Sequence, residues 1–215
     1  MPKDTLRITE IFYSLQGEGK TVGLPTTFIR LTGCPLRCGY CDTEYAFYGG
    51  ETRSIDEIVQ QVNELGAHYI NVTGGEPLAQ KRVHELMKTL CDAGYHVSLE
   101  TSGALDVSGV DPRVIKVLDV KTPASGEMAK NRHENYDCLT KQDQVKYVIC
   151  DRDDFQWSKQ HLQEYALSDK CEVLFSPVQG ELKASDLANW VLTDKLPVRF
   201  QIQLHKYLWG DEPGK

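Results

Sequence analysis

Segment 33–43 reads GCPLRCGYCDT and spaces Cys34, Cys38 and Cys41 as C-x3-C-x2-C. Thiols this close together on a glycine-bearing loop are natural metal ligands, and their number bears on which metal. A structural zinc site generally closes with four Cys or His ligands, commonly in paired knuckles. No second knuckle occurs in the sequence. A [4Fe-4S] cube held by only three thiolates keeps one iron free to take a small molecule. That arrangement suits the count. Two other readings stay open on these residues: a zinc module completed by His68 or His133, and an electron-transfer protein of the ferredoxin kind, which the missing fourth nearby cysteine disfavours. Cys91, Cys138, Cys150 and Cys171 are scattered and read as small buried hydrophobes.

Further candidate chemistry sits in short polar runs: TGGEP (73–77), ETSG (100–103), DVK (119–121), SPVQ (176–179) and His205. Each follows a β-rich run, at 69–72, 96–100, 114–120, 172–176 and 199–204, and the cysteine loop follows another at 27–31. One more such run lies at 145–149. Helical spacing separates several of them. Ser54 and Glu57 form a capping box ahead of Ile55, Ile58, Val59, Val62 and Leu65, with Gly66 as the stop. Val83, Leu86, Met87 and Leu90 repeat the spacing before Gly94, and weaker patterns cover 155–167 and, from a Ser185 cap, run through Trp190 to Leu192. Strand and helix in alternation predict right-handed crossovers and a parallel sheet. A complete eight-unit barrel takes ~250 residues. The 215-residue chain is about one unit short. The expected fold is therefore α/β, an incomplete (βα) barrel of about six or seven mostly parallel strands, in a single domain over 1–215. Ligands bind at the carboxyl ends of such strands, so the polar runs converge on one cavity.

Composition narrows the class. With 40% hydrophobic and 26% charged residues the chain can bury a core. A net charge of −7 disfavours a phosphate-backbone binder. Seven cysteines make an odd number for a disulfide framework. The start MPKDTLRITE carries no charged-then-apolar signal segment and the apolar runs are short, so a cytoplasmic location is expected.

The C-x3-C-x2-C loop followed by GGEP at 74–77 resembles the radical S-adenosylmethionine superfamily. The resemblance implies that Cys34, Cys38 and Cys41 hold a [4Fe-4S] cluster whose fourth iron is chelated by S-adenosylmethionine. One electron then cleaves the sulfonium to methionine and a 5'-deoxyadenosyl radical, which takes hydrogen from the substrate. By the same resemblance Tyr40, with Cys41 and Asp42 beside it, lies against the adenine, and Gly75 and Glu76 meet the methionyl amino group. Ser102, the Asp119, Val120 and Lys121 run, and the Ser176, Pro177, Val178 and Gln179 run fall where the remaining cofactor contacts are expected.

Within that superfamily, EIFYSLQGEGKTVGLPTTFIRLTGCPLRCGYCDT (10–43) and the IQLHKYLW segment resemble the 7-carboxy-7-deazaguanine synthase family of 7-deazapurine (queuosine) biosynthesis. The implied reaction is ring contraction of 6-carboxy-5,6,7,8-tetrahydropterin to 7-carboxy-7-deazaguanine with release of ammonia, a carbon-nitrogen lyase activity. The implied substrate contacts are Leu15, Gln16, Gly17 and Glu18 at the pterin edge, Arg30 at the carboxylate, and Thr73 and His205. Thr43 is implied as a magnesium ligand. A homodimer, and an electron donor such as flavodoxin or ferredoxin, are implied as partners. Another radical enzyme of the superfamily, such as a small glycyl-radical activase, shares the cluster loop, though SLQGEG argues against it. No residue is assigned to acid-base catalysis.

Overall fold

The computed structural model describes residues 4–210, 212 and 214. Nine strands form one open sheet in the order β3-β1-β2-β4-β5-β6-β7-β8-β9. The strands are β1 Thr5–Leu15, β2 Pro25–Leu31, β3 Glu51–Ser54, β4 Tyr69–Gly74, β5 His96–Thr101, β6 Ile115–Val120, β7 Gln144–Ile149, β8 Glu172–Pro177 and β9 Arg199–Phe200. From β2 to β9 all neighbours are parallel. β1 pairs antiparallel with both β2 and β3. The seven parallel strands meet the expectation of an incomplete barrel. The antiparallel pair at its edge extends it.

The sheet has an apolar face and a polar face, and a two-residue period in the sequence explains how. Ile29 and Leu31, Ile70 and Val72, Val97 and Leu99, Leu118 and Val120, Val145 and Tyr147 are buried, joining the apolar core that includes helix residues. Their alternates Phe28, Arg30, Thr73, Glu100, Asp119 and Lys146 line a cavity on the other face. A parallel sheet covered by helices on one side and a ligand cavity on the other needs this two-sided pattern.

The helices are α1 Ile55–Leu65, α2 Val83–Asp92, α3 Arg152–Glu164, α4 Leu167–Lys170, α5 Ala184–Thr193 and α6 Leu204–Trp209, of which α6 lies on the cavity side. α1 carries the expected capping box and ends at Gly66, whose φ is 72°. Two weaker helical expectations are corrected. α3 starts earlier than 155, because Asp151 caps it by accepting from Asp154 N, and it stops before 167, where Ala166 turns left-handed at φ 48° and α4 begins anew. α5 is preceded by Lys183 with no side-chain cap, so Ser185 lies inside the helix. No helix among the described residues is long and apolar enough to cross a membrane.

The strand expected over 199–204 is cut to two residues. Gln201 Oε1 accepts from Gly19 N at 2.9 Å, and Leu204 N donates to Gly17 O at 3.0 Å. These bonds turn the chain toward the loop after β1, so His205 lies in α6 and not at a strand end.

Candidate active site and cofactor cavity

One cavity of about 700 Å³ occupies the mouth of the sheet. Cys34, Cys38, Cys41, Tyr40, Asp42 and Thr43 line it, as do Gly75, Ser102, Asp119, Lys121, Val178 and Gln179. Leu15, Gln16, Gly17, Glu18, Arg30, Thr73 and His205 line the same space. Glu76, Val120, Ser176 and Pro177 do not line it; all four are buried behind the wall.

The cysteine loop leaves β2 and is fastened along its length. Gly33 N donates to Ala46 O at 2.8 Å and Gly39 N to Ser125 O at 3.0 Å. Arg37 folds back, giving an Nη1–H to Cys34 O at 2.8 Å, while its guanidinium lies 4.2 Å from the Phe47 ring centre. Burial pushes the three thiols up, Cys38 to about 11. Exposed to a cation, such thiols exchange the proton for metal. They do not converge as ligands of a single ion would, since among the described residues no three Cys, His, Asp or Glu side chains meet that geometry. Three separated thiols around one open cavity suit a cube that takes one at each of three corners. His68 and His133 are absent from the cavity wall. His133 packs on Tyr136 and Tyr165 instead.

Glu76 explains why the GGEP loop is rigid. Its carboxylate accepts from Leu78 N, from Thr101 Oγ1, and from Ser102 N at 2.7 Å, and its own N–H donates to Gly33 O at 2.8 Å. The side chain is thus occupied in joining the loops after β2, β4 and β5. Gly75 sits against that junction. A Cβ there would meet the Gly33 carbonyl and stand 2.8 Å from Cys34 Cβ. Gly75→Ala should therefore displace the cysteine loop, and we expect lowered iron per protein after anaerobic reconstitution. Wild-type iron content would contradict this packing argument.

Charges dominate the inner end. Lys146 Nζ reaches Glu18 Oε2 at 2.6 Å and Asp119 Oδ2 at 3.6 Å, and Lys121 Nζ reaches Asp119 at 3.1 Å. Burial alone would lower Lys146, but the carboxylates of Glu18, Asp119 and Glu100 outweigh it and hold the ammonium charged. Burial followed by the neighbouring Glu18 pushes the Glu100 carboxyl up. Glu100 accepts from Asn71 Nδ2 at 3.1 Å and Thr73 Oγ1 at 3.4 Å. Glu18 Oε1, Asn71 Oδ1, Asp119 Oδ1 and the Tyr40 hydroxyl are buried without a protein partner. Unpaired buried polar atoms cost about 1–3 kcal/mol each, so they mark where a ligand completes the bonding.

Arg30 gives its Nε–H to Glu10 Oε1 at 2.6 Å, and Tyr45 donates to the same oxygen at 2.7 Å. Its ion pair with a nearby acid coexists with a place on the cavity wall. Among the described residues its two Nη groups have no hydrogen-bond partner.

The closing wall is α6. Asp42 accepts from Thr43 Oγ1 at 2.8 Å, and from Gln203 Nε2 and Lys206 Nζ, each at 3.2 Å. Burial alone would raise its carboxyl, but Lys206 and these hydrogen bonds outweigh it and hold Asp42 below the ordinary range. His205 rests on the Gly17 backbone so closely that a Cβ at Gly17 would occupy the imidazole's place.

Lys146, Lys206, Gln203 and Tyr45 are wall residues that the sequence analysis missed. Lys146 had a legible signal, being the lone charge inside the apolar run VKYVI. Gln203 and Lys206 stand in the IQLHKYLW segment without a motif of their own, and Tyr45 had no signal.

Comparison with known proteins agrees with this geometry. Residues 28–119 match the radical SAM superfamily. A protein of Chlorobaculum tepidum called 7-carboxy-7-deazaguanine synthase is 43% identical, with 96% of each chain covered. Its namesake in Koribacter versatilis is 44% identical, covering 96% of this chain and 98% of its own. Among solved structures, QueE from Escherichia coli superposes with a TM-score of 0.77 at 21% identity, covering 94% of this chain and 95% of its own. That likeness concerns the fold.

Proposed function

Because the chain belongs to the 7-carboxy-7-deazaguanine synthase family of radical SAM enzymes, we propose that its polar cavity holds a carboxylated pterin between the cysteine loop and the Glu18–Lys146 pair. The reaction is ring contraction of 6-carboxy-5,6,7,8-tetrahydropterin to 7-carboxy-7-deazaguanine with loss of ammonia, a lyase step in 7-deazapurine biosynthesis. The observation that carries the site reading is a shared wall: three thiols, Arg30, Gln16 and Glu18 line one cavity.

A [4Fe-4S] cluster and S-adenosylmethionine, when bound, supply a carbon radical that can take hydrogen from the substrate. Cys34, Cys38 and Cys41 would hold that cluster. Tyr40, Cys41, Asp42, Gly75, Ser102, Asp119, Lys121, Val178 and Gln179 would border the cofactor, while Glu76, Val120, Ser176 and Pro177 support the wall from behind.

The substrate end follows from which atoms are already committed. Lys146 occupies Glu18 Oε2, so Oε1 is left to accept from pterin N–H groups. Gln16 and the backbone of Leu15 and Gly17 stand beside it on the wall, offering both donors and acceptors. Arg30 keeps Nε on Glu10 and has its Nη fork for the carboxylate. Thr73 and His205 complete this end. Thr43 donates its hydroxyl proton to Asp42, so its lone pairs would suit a hard cation such as magnesium, which would supply charge beside the substrate. An electron donor of the flavodoxin or ferredoxin kind, a homodimer, a cytoplasmic setting and a single domain over 1–215 belong to the same proposal. The unbroken nine-strand sheet supports the last of these.

Anaerobic incubation of reconstituted protein with reductant, S-adenosylmethionine, magnesium and 6-carboxytetrahydropterin tests the reading. A product of the mass of 7-carboxy-7-deazaguanine is expected, and none should form without S-adenosylmethionine. Arg30→Ala should raise the substrate KM by roughly tenfold to a hundredfold, the worth of a charge-assisted pair, at unchanged iron content. An unaltered KM would remove Arg30 from the carboxylate.

A further inference from the structure

The antiparallel ladder of β1 and β2 carries one irregularity. Ile8 lies opposite Leu31 and Glu10 opposite Arg30, so Thr9 is an extra residue without a partner and the ladder bulges there. Ile8 and Leu31 are buried in the apolar core, whereas Arg30 lines the main cavity. Regular alternation would put Glu10 on the same face as Ile8. The bulge turns Glu10 over and sets it beside Arg30.

Glu10 Oε1 is the meeting point of two donors. Arg30 Nε reaches it at 2.6 Å and the Tyr45 hydroxyl at 2.7 Å. Burial pushes that hydroxyl up to about 12, so it keeps its proton and donates. Two rings add to the hold: the centres of Phe12 and Tyr45 each lie 5.8 Å from Arg30 Cζ, within reach of cation–π attraction. Phe12 is itself stacked on Phe28 at 4.9 Å, with the planes 6° apart. The guanidinium is thus held through Nε and its faces, while both Nη groups stay without a hydrogen-bond partner among the described residues. Tyr45 belongs to the turn Glu44–Ala46, which is joined to the cysteine loop by the bond from Gly33 N to Ala46 O. The clamp on Arg30 therefore spans from the sheet to that loop.

We propose that Glu10 and Tyr45 are positioning residues that hold the Arg30 fork ready for the substrate carboxylate, Glu10 through Nε and Tyr45 through Glu10. The proposal rests on the ring-contraction reading, in which Arg30 meets a carboxylated pterin. A long arginine side chain otherwise loses rotamer freedom on binding, and the clamp imposes that order before the substrate arrives. Glu10 also opposes part of the Arg30 charge. Position and charge therefore make opposite predictions for its removal.

Calorimetric titration of the reconstituted, unreduced holoenzyme, loaded with S-adenosylmethionine, decides between them because binding is read without turnover. Glu10→Leu should weaken 6-carboxytetrahydropterin roughly tenfold, the value of one charge-assisted hydrogen bond, with iron content retained. Tetrahydropterin lacking the carboxyl group should bind as it does to the parent. Glu10→Gln, which keeps an acceptor and drops the charge, should restore the affinity, and Tyr45→Phe should weaken it roughly threefold. Once Arg30 is replaced by Ala, Glu10→Leu should have no further effect. Tighter binding by Glu10→Leu, an equal loss for both pterins, a Gln variant no tighter than the Leu one, or additive losses in the double variant would each overturn the proposal. A parent that binds the two pterins equally sinks the carboxylate site and its clamp together. A protein that shows the whole binding pattern yet makes no 7-carboxy-7-deazaguanine keeps the clamp and loses the ring-contraction reading alone.

Discussion

Cys38→Ala, reconstituted without oxygen, should emerge colourless, with little iron or acid-labile sulfide, and should neither cleave S-adenosylmethionine nor contract the pterin ring. Cys38 is the middle member of a loop whose three thiols share one cavity wall. Two thiolates cannot anchor a cube that already lacks a fourth protein ligand. The fold itself should survive, because the loop is held by Gly33, Arg37 and Gly39 through bonds that do not involve the thiol. Cys91→Ala is the control. Cys91 ends a turn of α2 and packs against the apolar core far along the chain from the loop. That change should cost modest stability and leave iron content intact. Similar iron in both variants would refute the cluster assignment.

Lys146→Met should be the most damaging change outside the cysteine loop. It leaves Glu18, nine-tenths buried, without its cation, while Asp119 keeps Lys121. Removing one partner of a buried pair costs about 3–5 kcal/mol. For a chain of this size that lowers the melting temperature by roughly 10 °C. Activity should fall further than stability explains, since Glu18 Oε1 is then no longer held in place by its partner oxygen. Lys146→Met combined with Glu18→Gln should recover part of the lost stability and none of the activity, a coupling that a double-mutant cycle reads directly. Additive losses in melting temperature would show that the two side chains act independently.

Much of this could be read from the chain before any coordinates. Alternation of short β-rich runs with helical spacing specified the parallel sheet, because a buried two-sided strand and an amphipathic helix leave different periods. The capping box at Ser54 and Glu57 specified where α1 begins. β1 and β3 were illegible for a physical reason. β1 carries a register shift between Ile8 and Glu10 that breaks its alternation, and β3 is four residues with no buried side chain. The C-terminal strand was overestimated because RFQIQL alternates well, yet its polar members bond to the loop after β1 and draw the chain out of the sheet.

The site divided in the same way. Residues in contiguous motifs, the cysteine loop and SLQGEG, were readable because their chemistry is local. Lys146 showed only as a lone charge in VKYVI, since its meaning comes from Glu18, 128 positions away. Glu76 stands in a readable motif, yet its carboxylate is spent on Thr101 and Ser102, so its contribution is to hold the loop that carries Gly75.

The clasp between α6 and the start of the chain has a consequence for how the molecule matures. Leu204 bonds to Gly17, and Lys206 to Asp42, so the last wall of the chamber joins stretches at opposite ends of the polypeptide. Such distant closures form late, after local helices and adjacent strands have paid their ordering entropy. A nascent chain with its sheet already assembled would still present an unwalled basin.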